Sequence, residues 1–281
     1  MQENKYETMK SITSRDNQWI KKACSLKQKK GRQQERMVFV EGMRVVRDAG
    51  ESGIRRAVCF LSPKGREHEK FQDIYDMGRA LDWTFFSVTD SVYDKLKDTK
   101  APQGIAAMLP YVTVSLDELN GLAPRQAVVY LQAVQDPGNL GTIIRTAAAA
   151  NAAAILLSEG SVDVYNDKTI RSAMGAIFKV PIVQDVSEAQ LIEFCRQQGR
   201  VLLGTAPQGT TSYAQAAYAR PVVLAFGNEG NGLSDTLIEQ CSEVLTIPMR
   251  SDTESLNLSM SVGVIVYKAW EANGFKEKYD E

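Results

Sequence analysis

The 281-residue chain contains a single histidine, His68, and it stands between Glu67 and Glu69. One imidazole cannot furnish a Ser-His-Asp triad, a Cys-His pair or a histidine-rich metal site, and this one reads as a solvated surface residue. Cysteine is equally sparse. Cys24, Cys59, Cys195 and Cys241 are scattered, with no Cys-x-x-Cys pair, which argues against a disulfide framework or a zinc site and for a reducing cytoplasm. No apolar run reaches membrane-spanning length, and the opening Met-Gln-Glu-Asn-Lys-Tyr-Glu has no apolar signal core. Also missing are the Gly-x-Gly-x-x-Gly fingerprint, the P-loop and the Gly-x-Ser-x-Gly nucleophile elbow. The remaining chemistry needs little proton transfer and rests on positioning.

Net charge is near zero, at −1, but unevenly distributed. Residues 1–110 hold 21 Lys plus Arg against 15 Asp plus Glu, and residues 111–281 hold 12 against 19. A basic half joined to an acidic half suggests a division of labour, with the basic half touching a polyanion. Its densest cluster is Lys21, Lys22, Lys27, Lys29, Lys30, Arg32 and Arg36, opposed only by Glu35, with Arg44 further along. Of these, Lys21, Lys22, Lys27, Lys29, Lys30, Arg32 and Arg44 are the candidate contacts to a nucleic acid.

Residues 1–10 read as a flexible tail. From 11 to 109, short apolar strands (Met37–Val40, Arg56–Leu61, Trp83–Val88, Gly104–Leu109) alternate with helical stretches. One starts at Ser14 or Asp16, one spans Glu67–Leu81 and one is capped by Thr89. This predicts a small α/β sandwich. Residues 110–125 read as a linker with a helical piece at Leu116–Leu119. From 126 to 281, strands are predicted at Ala127–Leu131, Ala154–Leu157, Val180–Val183, Arg200–Leu203, Pro221–Phe226 and Val244–Ile247. Helices are predicted at Gly141–Asn151, Asn166–Ala176, Glu188–Gln198, Ser234–Gln240 and Ser255–Trp270. Near-continuous apolar strands signify a mainly parallel sheet covered on both faces, whose ligands bind beyond the carboxyl ends of the strands.

Three polar segments fall at such ends: Asn139-Leu-Gly-Thr-Ile-Ile-Arg145, Gly227-Asn-Glu-Gly-Asn-Gly-Leu233 and Ser255-Leu-Asn-Leu-Ser259. In the first, Asp136-Pro-Gly-Asn139 marks a turn, Gly141 permits close backbone approach, and Arg145 on the first helical turn is either a surface ion-pair residue or a guanidinium facing a pocket. In the second, Glu229 sits among glycines, where exposed backbone groups can read a purine edge or an amino-acid moiety. In the third, Asn257 and Ser255 either cap a helix or orient a hydroxyl.

In this order, Asn-x-Gly-x-x-x-Arg, Gly-Asn-Glu-x-x-Gly-Leu and Ser-Leu-Asn-x-Ser resemble the motifs of the SpoU/TrmH family of RNA 2′-O-ribose methyltransferases, in the SPOUT superfamily. The likeness spans roughly residues 126–272. The basic half resembles the family's L30e-like substrate-binding domain through Phe39-Val-Glu41-Gly42 and Gln103-Gly-Ile-Ala106. Pro102 stands where members often carry His.

The resemblance implies a trefoil-knotted methyltransferase domain, a homodimer through that domain, and S-adenosylmethionine held by Gly204, Thr205, Phe226, Gly227, Asn228, Gly230, Ile247, Met249 and Leu256. It assigns Arg145 to hydroxyl activation and Asn139 to positioning the ribose or Arg145. Glu229, Ser255 and Asn257 would complete the pocket floor, and no metal is implied. Ribosomal RNA is the first expectation for the substrate, ahead of tRNA. The rivals are a catalytically silent RNA-binding or ribosome-assembly factor, a dinucleotide-dependent enzyme, and a base methyltransferase.

Overall fold

The computed structural model describes residues 9–99, 101–253 and 255–277. Two compact units follow one another, Met1–Tyr111 and Val112–Glu281. Of the tail expected at 1–10, residues 1–8 lie outside the described residues, while Lys10 opens a strand.

In the first unit the chain runs β1 (Lys10–Ile12), α1 (Gln18–Ser25), α2 (Lys29–Glu35), β2 (Met37–Glu41), α3 (Met43–Glu51) and β3 (Val58–Leu61). It continues through α4 (Pro63–Arg66), α5 (Phe71–Ala80), β4 (Thr84–Val88), α6 (Asp90–Leu96) and β5 (Ile105–Pro110). The sheet order is β1-β4-β3-β5-β2, with β5 antiparallel to both β2 and β3. On one face, Ile20 and Ala23 of α1 and Val92 and Leu96 of α6 close over Phe60, Phe86 and Met108. Asn17, not Ser14 or Asp16, caps α1 by accepting from the Trp19 N–H. Thr89 caps α6 as expected. The α2 helix was not foreseen: its KKGRQQE sequence has no apolar stripe to betray it.

In the second unit a 3₁₀ turn at Leu116–Leu119 precedes β6 (Val128–Leu131), α7 (Pro137–Ala149), β7 (Ala154–Leu157), α8 (Asp167–Ala173), β8 (Ile182–Val183) and α9 (Glu188–Gln197). Then come β9 (Val201–Thr205), β10 (Thr211–Ser212), β11 (Val222–Phe226), α10 (Asp235–Gln240), β12 (Glu243–Thr246) and α11 (Leu258–Ala272). The seven strands form a sheet in the order β10-β12-β9-β11-β6-β7-β8, and every pairing is parallel. Alternate residues face opposite ways. Val128, Tyr130, Leu156, Val223 and Ala225 meet Leu191 and Phe194 of α9 and Leu237 of α10.

The stretch expected as a linker is part of this unit. Leu119 is buried in its core, Leu116 packs against it, and the Val114 N–H donates to the Ile182 carbonyl. Two helices also begin elsewhere than predicted. Asp136 caps α7 by accepting from the Asn139 N–H and Pro137 takes its first turn, so Arg145 lies on the third turn rather than the first. Asn257 caps α11, which therefore starts after Ser255. Gly141 is required where α7 crosses α8: a Cβ there would stand 2.5 Å from the Thr169 carbonyl oxygen.

Arg200, only 5% exposed, staples the start of the sheet. Its Nη1 donates to the Gln126 carbonyl at 2.7 Å and the Val222 carbonyl at 3.4 Å, and its Nη2 donates to the Ala123 carbonyl at 3.1 Å. Burial pulls its pKa down, so the buried charge depends on those carbonyls. Arg200→Met should lower the unfolding free energy by about 2–3 kcal/mol, read as a drop in the urea midpoint at unchanged slope.

Candidate active site at the strand ends

The order β12-β9-β11-β6 explains why segments far apart in sequence converge. Parallel strands release their loops at one edge. Residues 247–253, 206–210, 227–233 and 132–136 therefore leave the sheet side by side.

Glu229 is the meeting point. Its Oε2 accepts from the Gln135 N–H at 3.0 Å, and its Oε1 accepts from the Asp136 N–H at 3.2 Å and from Asn139 Nδ2 at 3.1 Å. Asn139 Oδ1 in turn accepts from Asn257 Nδ2 at 3.0 Å. Asn257 Oδ1 accepts from the Ser259 N–H at 2.9 Å and the Ser259 hydroxyl at 2.6 Å. Thus Asn257 both caps α11 and joins the network, and the three segments are linked through Glu229, Asn139 and Asn257. Partial burial works to raise the Glu229 pKa, but the bonds from Asn139 and from the Gln135 and Asp136 backbone outweigh it and hold the carboxyl below its ordinary value. Sequence reasoning missed the two backbone donors. Their only signal was the Asp136-Pro-Gly turn that aims them. Asp136 itself pairs with Lys168 at 2.8 Å, which, ahead of the Asn139 N–H, lowers its pKa.

The 227–233 loop is folded on itself. Asn228 and Gly232 exchange backbone hydrogen bonds at 3.0 and 2.9 Å, and a Cβ on Gly227 would lie 1.9 Å from the Gly232 carbonyl carbon. The Asn228 side chain ties the loop to its neighbour, donating to the Ala133 carbonyl at 2.7 Å and accepting from the Gly230 N–H at 2.8 Å. Gly204, Phe226 and Gly227 are buried, so only their backbones are available to a ligand. A Cβ on Gly204 would stand 2.8 Å from Cys241 Sγ, and the Thr205 hydroxyl donates to the Ala225 carbonyl at 3.0 Å. Ile247 and Met249 are half-buried, and Leu256 stays 40% exposed.

Arg145 is exposed on α7 and makes no hydrogen bond or ion pair among the described residues. The residue expected to position it, Asn139, is engaged with Glu229 and Asn257 instead. Ser255 is exposed in the loop before α11 and is not drawn into the network. His68 is a surface turn residue, its Nδ1 accepting from the Lys70 N–H.

The basic candidates of the first unit separate into three groups. Arg32 is a correction: it is 5% exposed, and its Nη1 donates to the Leu26 and Lys27 carbonyls at 3.0 Å each, so it holds the α1–α2 turn and is withdrawn from any polyanion. Lys22 pairs with Glu35 at 2.6 Å and Lys27 with Asp98 at 2.7 Å, while Lys21 approaches Asp16 and Arg44 approaches Asp48, both at 3.8 Å. Glu35 is therefore not the only opposing charge. Lys29 and Lys30 are exposed and form no ion pair among the described residues.

Because the folded pKa of Glu229 is lowered, its network is at full strength above the unfolded carboxylate value of about 4.3 and is lost as pH falls through the folded value. The Asn139 side-chain amide resonance should hold steady from pH 8 to 5 and move only at more acid pH. Glu229→Gln should remove that acid step.

A model of the SpoU rRNA Methylase family matches residues 126–267, and a model of the MRM3-like substrate binding domain matches residues 17–107. An uncharacterized tRNA/rRNA methyltransferase of Synechocystis is 34% identical over 269 residues, covering 92% of this chain and 93% of that protein. The 23S rRNA (guanosine(2553)-2′-O)-methyltransferase RlmP of Bacillus subtilis is 31% identical over 92% of this chain and 98% of its own length. Among solved structures, an AdoMet-bound rRNA methyltransferase from Sinorhizobium meliloti superposes with a TM-score of 0.84 at 29% identity, covering 94% of this chain and 98% of that one. The first family's model takes in the whole Glu229–Asn139–Asn257 network, and the chain belongs to the SpoU rRNA methylase family.

Proposed function

We propose that this protein transfers a methyl group from S-adenosylmethionine to the 2′-hydroxyl of a ribose in ribosomal RNA, with guanosine, the nucleoside named for the Bacillus relative, as the first candidate. The observation that carries the reading is the hydrogen-bonded line Glu229–Asn139–Asn257, whose Asn139 shares a helix with Arg145, an exposed guanidinium with no hydrogen bond or ion pair among the described residues.

The loops off three adjacent strands, β9, β11 and β12, fit an adenosyl cofactor. Backbone at Gly204 and at Phe226, Gly227, Asn228 and Gly230 lies at the same sheet edge as Thr205, Ile247 and Met249. Leu256 leaves apolar surface open there. The bound cofactor supplies a methyl group already activated on a sulfonium.

The chain's own residues then have to orient the hydroxyl and ease the loss of its proton to solvent. A guanidinium stays protonated and holds phosphate bidentately. Arg145 accordingly acts as an electrostatic organiser of the ribose hydroxyl and a neighbouring phosphate. The amides of Asn139 and Asn257 fix the floor of the site, and Glu229 locks the loop that carries the cofactor backbone contacts. Ser255 completes the rim.

The chain pairs with a second copy through α11 in this reading, and the methyltransferase domain at 126–281 is knotted. Met260, Val264 and Tyr267 recur at helical spacing on α11. Met260 is 59% and Tyr267 43% exposed, an apolar stripe that a partner helix would cover. The substrate-binding domain at 11–109 delivers the RNA. The cytoplasm is the compartment, in keeping with four unpaired cysteines; among the described residues no helix is long and apolar enough to cross a membrane.

Arg145→Ala should lower methylation of ribosomal RNA by ~10²–10³-fold while calorimetric S-adenosylmethionine affinity stays within about three-fold. Normal turnover by the variant would remove Arg145 from the mechanism. The double reversal Lys29→Glu, Lys30→Glu should weaken RNA binding and flatten its salt dependence by nearly two units of log–log slope, measured by filter binding across a salt series.

A further inference from the structure

A cavity of about 420 Å³ opens at the carboxyl end of the sheet, between the tips of β6 and β7, the turn at 186–188 and the 228–234 loop. Of the residues assigned to the cofactor only Asn228 lines it, so it is a separate compartment that shares one wall with the proposed methyl-transfer site. Its size is ample for one nucleobase and falls within the usual ~300–1,000 Å³ of small-ligand sites.

The lining states what it can hold. Tyr130, Val186 and Leu233 supply apolar walls suited to a flat ring. Neither Lys nor Arg is present, whereas Glu159 and Glu188 both are. That excludes a phosphate and favours a neutral group rich in N–H donors. Glu188 is pre-set: its Oε1 accepts from Gln132 Nε2 at 2.6 Å and the Ser234 hydroxyl at 2.7 Å, and its Oε2 accepts from the Thr236 hydroxyl at 2.9 Å, which leaves that oxygen with open acceptor capacity. Glu159 makes no ion pair or side-chain hydrogen bond among the described residues.

A second observation is independent of the carboxylates. Tyr130 is fully buried, lines the cavity, and its hydroxyl has no hydrogen-bond partner among the described residues. The Ser158 hydroxyl exerts a weak hydrogen-bonding pull on it but makes no bond of full hydrogen-bond geometry to it; it accepts instead from the Ala133 N–H at 2.8 Å and donates to the Glu159 carbonyl at 2.9 Å. An orphaned buried hydroxyl costs about 1–3 kcal/mol, and a bound ligand would satisfy it. Burial first, then the Glu188 charge, pushes the Tyr130 pKa up to about 12, with Ser158 pulling slightly back, so the hydroxyl stays a donor throughout the neutral range.

We propose that this cavity is a base-reading pocket that takes the Watson–Crick edge of an unstacked guanine from the RNA, adjacent to the ribose that is methylated. Guanine presents two neighbouring donors, N1–H and N2–H₂, which a carboxylate accepts side by side, and its O6 can accept from the Tyr130 hydroxyl. Uracil offers one N–H flanked by carbonyls, and adenine and cytosine set a ring acceptor against the carboxylate, so each is disfavoured here. Asn228 bridges this pocket to the methyl-transfer site, since its Nδ2 donates to the Ala133 carbonyl on the cavity wall and its loop carries Glu229.

The inference rests on the RNA-methylation reading for the identity of its ligand, and two measurements separate their fates. The first needs no turnover: saturation-transfer NMR with guanosine at millimolar concentration on the protein saturated with S-adenosylmethionine. Guanosine should give a signal several-fold stronger than uridine, and Tyr130→Phe and Glu159→Gln should each reduce it. Equal signals for both nucleosides, or a guanosine signal indifferent to both variants, would overturn the pocket. The second is kinetic: each variant should raise KM for RNA about five-fold at a kcat within two-fold of the parent and an unchanged S-adenosylmethionine affinity. Tyr130→Phe should also leave the urea midpoint in place or raise it, because the hydroxyl has no well-formed internal bond to lose and its burial is itself a cost. A merely structural Tyr130 would lower the midpoint and leave KM alone.

Discussion

Everything at the proposed active edge hangs on one carboxylate that has no cationic partner among the described residues. Glu229 is held by two backbone N–H groups and one amide, all from the segment that follows the neighbouring strand. A lysine in that place would bring a flexible point charge. Backbone donors bring direction, because their positions are fixed by the Asp136 cap and the first turn of α7. The 227–233 loop is thereby clamped to the start of α7, and the Asn139 amide, oriented by the carboxylate, passes the constraint to Asn257 and the start of α11. Positioning chemistry needs such a rigid frame, since misplacement by about 1 Å can cost ~10²-fold in rate.

The sheet order is the level beneath. The path leaves β6 outward to β7 and β8, then returns on its other side through β9, β11 and β12. The break between β6 and β11 is where loops diverge and a crevice opens, as expected of doubly wound sheets. The three polar segments occupy that break and its flank. The two compartments described above, one proposed for cofactor and one for base, lie on either side of the 227–233 loop's attachment. Its tight internal pairing at Asn228 and Gly232 thus matters to both.

Much of this was readable in the residues. Apolar runs located ten of the twelve strands to within a few residues; the exceptions are β1, which the tail obscured, and β10, which at two residues has no pattern of its own. Polar segments after those runs marked the site. What escaped depends on partners distant in sequence. Arg32 looks like any other member of a basic cluster until the turn after α1 presents the Leu26 and Lys27 carbonyls to it. Lys27 looks free until Asp98 arrives from beyond α6. Gly204 and Gly227 advertise a ligand, yet Cys241 and Gly232 suffice to forbid a side chain at either. The Tyr130 hydroxyl cannot be singled out from Val-Val-Tyr-Leu, which reads simply as a buried strand.

The all-parallel pairing also bears on how the chain is made. Val128 of β6 finds its partner Val223 only after the intervening strands and helices have been synthesised. At ~5–20 residues per second that interval is on the order of 5–20 s. Throughout it one edge of β6, flanked by fully apolar neighbours, has no strand to pair with, a condition that invites association with other chains. The nascent protein would then be most exposed to aggregation between the emergence of β8 and that of β11, and helper factors that shield open sheet edges would matter during that window and much less afterwards.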